Sequence, residues 1–186
     1  TLVLGLLGKG LEETTLCLPG THSKWITVEQ GSVGQFRTFM TGEVFGLMQD
    51  QSVLRAYTSE SAVDPNGPAF RQGVEQSLEY PEGLLNALFT CRSTPLVFGT
   101  HAAKNMASRL SGLLVGAEIA GARASGLAAS GTVQLIADQK LGPLYETAFS
   151  IAGVAYQIQD AERLAQQGLL FAARQLWPDR LKERSP

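Results

Sequence analysis

The order of apolar segments predicts an α/β fold in which a three-stranded antiparallel meander leads into alternating helices and strands, with helices inserted between the two parts. Three observations carry this reading. Three short β-rich runs, Thr15 to Leu18, Lys24 to Gln30 and Gln35 to Met40, follow one another with turn formers between them. From Val133 onward the chain alternates apolar strand, amphipathic helix, strand and helix. Between Thr41 and Ala124 the apolar residues recur with helical period.

In chain order, Thr1 to Leu11 is apolar and reads as the end of a helix stopped at Gly8 and Gly10. Pro19 and Gly20 break the first strand, and Gly31-Ser32-Val33-Gly34 supplies the hairpin turn between the second and third. A helix starts after Thr41-Gly42, with Val44, Leu47, Met48 and Leu54 near one face. Ser59 to Pro68 is a polar loop, followed by helices over Ala69 to Leu78 and Pro81 to Phe89; Thr94 to His101 is short and irregular. A long helix spans Lys104 to Ala124. Leu110, Leu113, Leu114, Ala117, Gly121 and Ala124 line one face, Val115 and Ile119 extend the apolar surface, and Gly112 and Gly116 let a second backbone approach. Val133 to Ala137 is a buried strand. Leu141, Leu144, Tyr145, Ala148, Phe149 and Ala152 make a helix with Pro143 in its first turn. Val154 to Ile158 is the next strand. Asp160 caps the last helix, with Leu164, Ala165, Leu169, Ala172 and Leu176 inward and Pro178 after it. A meander followed by such alternation is the ribonuclease H-like arrangement, with helices on both faces of the sheet.

At 186 residues and 44% apolar content the chain is one domain with a real core. The net charge is −2 and Lys and Arg do not cluster, which argues against a nucleic-acid face. The tail Arg180-Leu181-Lys182-Glu183-Arg184 is mixed in sign and reads as a solvated end. Cys17 and Cys91 sit in apolar contexts, as buried thiols of a reducing, cytoplasmic compartment do. The most apolar stretch, Leu110 to Gly126, is interrupted by Glu118 and Arg123, so no membrane span is expected. Thr1 runs straight into Leu2-Val3-Leu4, as if the chain began inside an element, so it reads as a fragment whose apolar Leu2 to Leu11 segment is left exposed.

Two places are suited to a ligand. The corner Pro19-Gly20-Thr21-His22-Ser23-Lys24 presents backbone N–H groups, two hydroxyls and an ammonium in one tight turn, which favours phosphate oxygens. Asp138-Gln139-Lys140 lies where a buried strand gives way to a helix, a location that favours ligands at strand ends and anions at helix N-termini. Cys17 and His22 have no third orienting group and do not read as a nucleophilic pair. His22 and His101 have no metal-ligand spacing.

Leu18-Pro19-Gly20-Thr21-His22-Ser23-Lys24-Trp25, Phe39-Met40-Thr41-Gly42-Glu43, Leu110-Ser111-Gly112-Leu113-Leu114-Val115-Gly116-Ala117-Glu118, and Leu135-Ile136-Ala137 with Tyr145-Glu146-Thr147-Ala148-Phe149 resemble the 2-dehydro-3-deoxygalactonokinase family in order and spacing, over essentially the whole chain. The resemblance implies a sugar-acid kinase of the actin-like ATPase superfamily. Such enzymes move the γ-phosphoryl group of ATP, with magnesium, to the 6-hydroxyl of 2-dehydro-3-deoxy-D-galactonate in galactonate catabolism. Two ribonuclease H-like domains close over ATP and the sugar acid. Family members begin with a phosphate-loop domain and an acidic segment before the position matching Thr1. The resemblance therefore implies that residues 1–186 are the C-terminal, nucleotide-side domain, with no catalytic residue of their own and no turnover alone.

Residue by residue, Gly20, Thr21 and His22 match the second phosphate-binding turn, with Lys24 beside it. Thr41 and Gly42 match a turn at the phosphates, and Glu43 and Glu118 match positions at the substrate cleft. Ala137 and Asp138 match the adenosine side, where relatives carry glycine for close approach to the nucleotide. Structural readings stand beside each: Lys24 solvated, Thr41 capping a helix with Glu43 in its first turn, Asp138 capping the helix at Leu141, and Glu118 paired with Arg109 or Arg123. The alternative function is a non-catalytic nucleotide- or sugar-acid-binding or regulatory module, which Asp138 in place of glycine supports.

Overall fold

Five strands form one mixed sheet in the computed structural model, which describes residues 1–8, 10, 13–59, 62–128 and 131–177. The strands are β1 (Thr14–Leu18), β2 (Ser23–Glu29), β3 (Ser32–Phe39), β4 (Val133–Leu135) and β5 (Tyr156–Ile158), in the order β3-β2-β1-β4-β5. β1, β2 and β3 pair antiparallel as the expected meander, while β4 and β5 run parallel to β1. This mixed sheet, starting with an antiparallel meander and flanked by helices, is consistent with an actin-like ATPase domain.

Strand alternation assigns the two faces. Cys17 and Trp25 point to one side, where α4 (Pro68–Glu79), α6 (Met106–Ala124) and α7 (Gly142–Ala152) contribute Phe70, Val74, Val115, Ile119 and Phe149. Leu16, Ile26 and Val28 point to the other, against Leu6 of α1 (Leu2–Leu7) and Leu164 of α8 (Ala161–Leu176). A third cluster lies away from the sheet. There α2 (Thr41–Gln51), α3 (Arg55–Thr58) and α5 (Leu84–Phe98) pack on the outer side of α6 through Leu54, Leu88, Cys91 and Leu110. The long α6 is thus covered on several sides, as its composition predicts. Burial pushes the Cys91 thiol up to about 11 and the Cys17 thiol well above its ordinary range, so both are core thiols.

Gly112 and Gly116 let α6 pack backbone to backbone with α4: a Cβ on Gly112 would lie 2.1 Å from the Phe70 carbonyl oxygen, and one on Gly116 2.7 Å from that of Val74. The first helix is not left exposed. A Cβ on Gly5 would lie 2.2 Å from the Leu164 carbonyl oxygen, so α1 is seated directly on α8, and Leu6 is fully buried.

Several elements differ from expectation. The hairpin turn is Gln30-Gly31, both with positive φ, which frees Ser32 and Val33 to pair with Glu29 and Val28 and places Gly34 within β3. Helix α2 stops at Gln51, because the Ser52 hydroxyl takes the Leu54 N–H and starts a separate turn; Leu47 faces outward. Pro81–Gly83 is a 3₁₀ turn, and α5 then runs to Phe98 through a buried Pro95. A proline inside a helix loses its own N–H bond and crowds the carbonyl four residues before it, and the burial of its ring here offsets part of that cost. Residues Thr100–Asn105 form a second 3₁₀ turn before α6. On α8 only Leu164 and Gly168 are buried, and Leu169 and Leu176 face outward, because the glycine contact with α1 narrows the inward stripe. Asp160 caps α8 through the Arg163 N–H at 2.9 Å, as expected. Pro178, the Arg180 to Arg184 tail and Leu11 lie outside the described residues.

Candidate functional site

The register of the meander builds the site. Pairing of Ser23 with Phe39 and of Lys24 with Thr38 brings the start of α2 beside the corner that joins β1 to β2. The Glu43 N–H donates to the Thr21 carbonyl at 2.9 Å, so one of the otherwise unpaired N–H groups at the helix start is satisfied by the corner. Contact is close enough to require glycine: a Cβ on Gly42 would lie 2.5 Å from the Gly20 carbonyl oxygen. His22 Nε2 and Glu43 Oε2 lie 2.5 Å apart across the same junction, and the Lys24 ammonium donates to the His22 carbonyl at 2.5 Å. The two sequence motifs are therefore one structural unit.

Opposite this unit stands the turn from β4 into α7. Asp138 Oδ1 accepts from the Lys140 N–H at 3.0 Å and the Leu141 N–H at 2.7 Å, while its carbonyl takes the Gly142 N–H at 2.9 Å. Asp138 thus closes the turn that leads into α7, whose N-cap is Leu141 with no side-chain cap of its own. Between the two walls is a cavity of about 830 Å³. Gly20, Thr21, Thr41 and Gly42 line one side, Asp138, Gln139, Lys140 and Tyr145 the other, and Ser111, Leu114 and Val115 of α6 the floor. Its volume falls within the range of small-molecule sites. No atom lies within 4 Å of a Cβ built on Gly20, so that glycine faces open space. Ala137 lines a smaller adjoining cavity of about 330 Å³, together with Asp138, Pro143 and Glu146.

Behind the walls sits Glu118, 2% exposed. Its Oε1 accepts the Trp25 indole N–H at 2.8 Å, and its Oε2 accepts the Tyr145 hydroxyl at 2.7 Å and the Thr41 hydroxyl. The Tyr145 oxygen in turn lies 3.0 Å from the Ser23 hydroxyl. One carboxyl group ties β2, α2 and α7 together around the cavity. Burial raises its pKa, and the hydrogen bonds from Thr41, Trp25, Tyr145 and Ser23 offset part of that rise. A carboxyl raised in the folded state binds its proton more tightly there than in the unfolded chain. The stability this contributes is full below the ordinary glutamate range near 4.5 and is lost as pH rises through the folded value. Glu118→Gln does not titrate, so the variant is expected to gain stability relative to wild type as pH rises across that window, read from urea midpoints at matched pH. A gap independent of pH contradicts the assignment.

Of the residues singled out in the sequence, Gly20, Thr21, Thr41, Gly42 and Asp138 converge on the cavity. His22, Lys24 and Glu43 brace the corner from its outer side. Glu118 lies behind the wall and pairs with neither arginine: Arg109 donates to Thr90 and Gln76, and Arg123 to the Ala152 carbonyl. The roles of Tyr145, Trp25 and Ser23 were not legible, because their common partner is far away in sequence. The polar loop before α4 also has a role in the site, lending Val63 and Pro65 to the cavity. Among the described residues no three His, Cys, Asp or Glu side chains converge as a metal cage, and no helix is long and apolar enough to cross a membrane.

Residues 1–172 match the family model described as 2-keto-3-deoxy-galactonokinase. The chain is 40% identical over 167 residues to a Rhizobium meliloti (strain 1021) protein named "Probable 2-dehydro-3-deoxygalactonokinase DgoK1", covering 88% of this chain and 53% of that protein. It is 36% identical over 138 residues to the 2-dehydro-3-deoxygalactonokinase of Escherichia coli (strain K12), covering 73% of this chain and 45% of that one. A crystal structure of a candidate 2-dehydro-3-deoxygalactonokinase from Sinorhizobium meliloti superposes with a TM-score of 0.86 at 37% identity, over 94% of this chain and 59% of the other. The chain thus spans about half the length of the curated relatives it matches. Since the family model covers residues 1–172 and these relatives are 36–40% identical over most of the chain, the chain belongs to the 2-keto-3-deoxy-galactonokinase family.

Proposed function

We propose that this chain is the C-terminal, nucleotide-side domain of a two-domain cytoplasmic kinase that phosphorylates 2-dehydro-3-deoxy-D-galactonate at its 6-hydroxyl in galactonate catabolism. In this reading the domain is ribonuclease H-like, which the strand order β3-β2-β1-β4-β5 supports. The observation that carries the proposal is the joining of the 19–24 corner to the start of α2 on one wall of the cavity, opposite the Asp138–Leu141 turn.

The residues present fit a nucleoside triphosphate. Gly20 leaves open space at the corner, and Thr21 offers a hydroxyl beside it. The N-terminus of α2 directs its positive end at the same wall. Lys140 places a cation on the opposite side, and Ala137 and Asp138 shape the entry to the smaller cavity for the adenosine end. When bound, ATP supplies the γ-phosphoryl group. This chain's own residues position and neutralise the phosphate oxygens, which is most of what such a transfer asks of a protein. Magnesium at such sites is held mostly by the phosphates with one or two carboxylates. Asp138 is the carboxylate on the cavity wall that could take part, and no group of three His, Cys, Asp or Glu side chains forms a protein cage for the ion among the described residues. The sugar acid and the general base belong, in this proposal, to the cleft completed by the N-terminal domain, and residues 1–186 alone transfer no phosphate.

Gly20→Val tests the reading. Its side chain enters open space, so folding is expected to be unchanged. ATP affinity of the protein expressed from its complete coding sequence is expected to fall about tenfold or more, the cost of about one displaced charge-assisted contact. Titration calorimetry reads it. Unchanged affinity places the phosphates elsewhere and leaves a non-catalytic module as the better account.

A further inference from the structure

The wall residues leave one group unexplained: a carboxyl buried at 2% exposure behind the cavity, with no cationic partner among the described residues. The neighbouring cations are committed elsewhere. Arg109 binds Thr90 and Gln76, Arg123 the Ala152 carbonyl, Lys24 the His22 carbonyl, and His22 pairs with Glu43. The titratable groups that face Glu118 are Cys17 from β1 and Tyr145 from α7. Ser23, Trp25 and Thr41 bring only O–H and N–H groups.

Protons can be assigned one by one. The indole of Trp25 only donates, so Oε1 is an acceptor. With Glu118 ionised, Tyr145 and Thr41 each give their one hydroxyl proton to Oε2. The Tyr145 oxygen then receives the Ser23 proton. Thr41 lines the cavity and has no second proton, so any further hydrogen bond its hydroxyl oxygen makes there is made as an acceptor.

We propose that Glu118 is a positioning residue that sets the polarity of Thr41: by taking the only hydroxyl proton of Thr41, it makes that hydroxyl an acceptor toward the bound ligand. An acceptor recognises an O–H donor and rejects an unprotonated phosphate oxygen. Phosphates therefore rest on the corner and the start of α2, and the Thr41 oxygen reads a hydroxyl beside them. That O–H belongs to the sugar acid or to an ordered water around the phosphates. The proposal rests on the kinase reading above.

The experiment uses the protein expressed from its complete coding sequence, with ATP and 2-dehydro-3-deoxy-D-galactonate as probes. Glu118→Gln keeps the shape but reverses the donor: its amide oxygen still accepts from Trp25, while its N–H groups donate to Thr41 and Tyr145 and turn the Thr41 proton into the cavity. Thr41→Val deletes the acceptor and Thr41→Ser keeps it. Both replace a side chain at the cavity wall, so they report even if Glu118→Gln does not fold. Glu118→Gln and Thr41→Val are each expected to lower kcat/KM about tenfold, as one misdirected or missing hydrogen bond does. The double variant is expected to be no worse than Thr41→Val, because the two act as a unit. Thr41→Ser stays close to wild type, and an acidic limb of the wild-type pH profile is absent in Glu118→Gln. A raised KM for the sugar acid identifies its hydroxyl as the donor; a loss confined to nucleotide affinity identifies the water. Wild-type rates in Thr41→Val, additive losses, or a Glu118→Gln protein that folds and turns over like wild type each overturn the proposal while leaving the kinase reading intact. A wild-type protein that binds no ATP fails that reading first, and this proposal with it.

Discussion

Gly42→Val is expected to cost the complete kinase about a hundredfold or more in kcat/KM, the scale of loss seen when catalytic groups are displaced by about 1 Å. The first side-chain carbon alone would lie 2.5 Å from the Gly20 carbonyl oxygen and 2.8 Å from the Thr21 Cα. Neither neighbour is a flexible side-chain tip that swings aside. The corner and the helix start must part, which breaks the Glu43 to Thr21 bond and loosens the pair of His22 with Glu43. Gly46, one turn further along the same helix, provides the control. A Cβ there meets nothing within 4 Å, so Gly46→Ala is expected to keep activity and to gain up to about 1 kcal/mol of helix stability. Steady-state kinetics with a thermal melt of each variant separates the two effects. Full activity in Gly42→Val shows that the junction is not needed for transfer.

The largest effect on stability is expected at Gly112→Ala. Alanine in a helix interior is worth about 1 kcal/mol over glycine, so propensity alone predicts a more stable protein. Geometry predicts the opposite. A Cβ on Gly112 would lie 2.1 Å from the Phe70 carbonyl oxygen, and Gly73 on the facing helix would meet the Arg109 carbonyl oxygen at 2.7 Å. Two backbones in contact relax only by separating α4 from α6, which opens the core at Phe70 and Val74. Overpacking of this kind costs about 3 kcal/mol or more and outweighs the propensity gain. Chemical denaturation reads the net loss. A Gly112→Ala variant as stable as wild type shows that the helices are not held at backbone contact.

The meander, the terminal alternation and the close approach of α6 are legible in the sequence because each is written locally. Turn residues punctuate the strands, and glycines spaced one turn apart mark a helix face with no side chains. The corner and the helix start are legible as separate motifs, and it takes the Ser23 to Phe39 pairing, 16 residues apart, to bring them into contact. The Glu118 network is not legible. Its partners lie 93, 77 and 27 residues away, and a glutamate amid small and apolar residues looks the same whether it seeks an arginine or three hydroxyl and indole donors. The outward Leu169 and Leu176 fail for a related reason. Periodicity counts leucines, while the inward face of α8 is set by Gly168 lying against the backbone of α1. Asp138 is legible as a turn former ahead of α7 from residue type and position, whereas its place on a cavity wall depends on parallel pairing of β4 with β1.

A crystal structure of the complete protein with bound ADP tests most directly whether the joined turns are the phosphate cradle. The expected result is a β-phosphate within hydrogen-bonding reach of the Gly20–Thr21 backbone and the first turn of α2, with the adenosine end toward Ala137 and Asp138. A nucleotide bound with its phosphates away from both turns, and the cavity between them and Asp138 left to solvent, contradicts it.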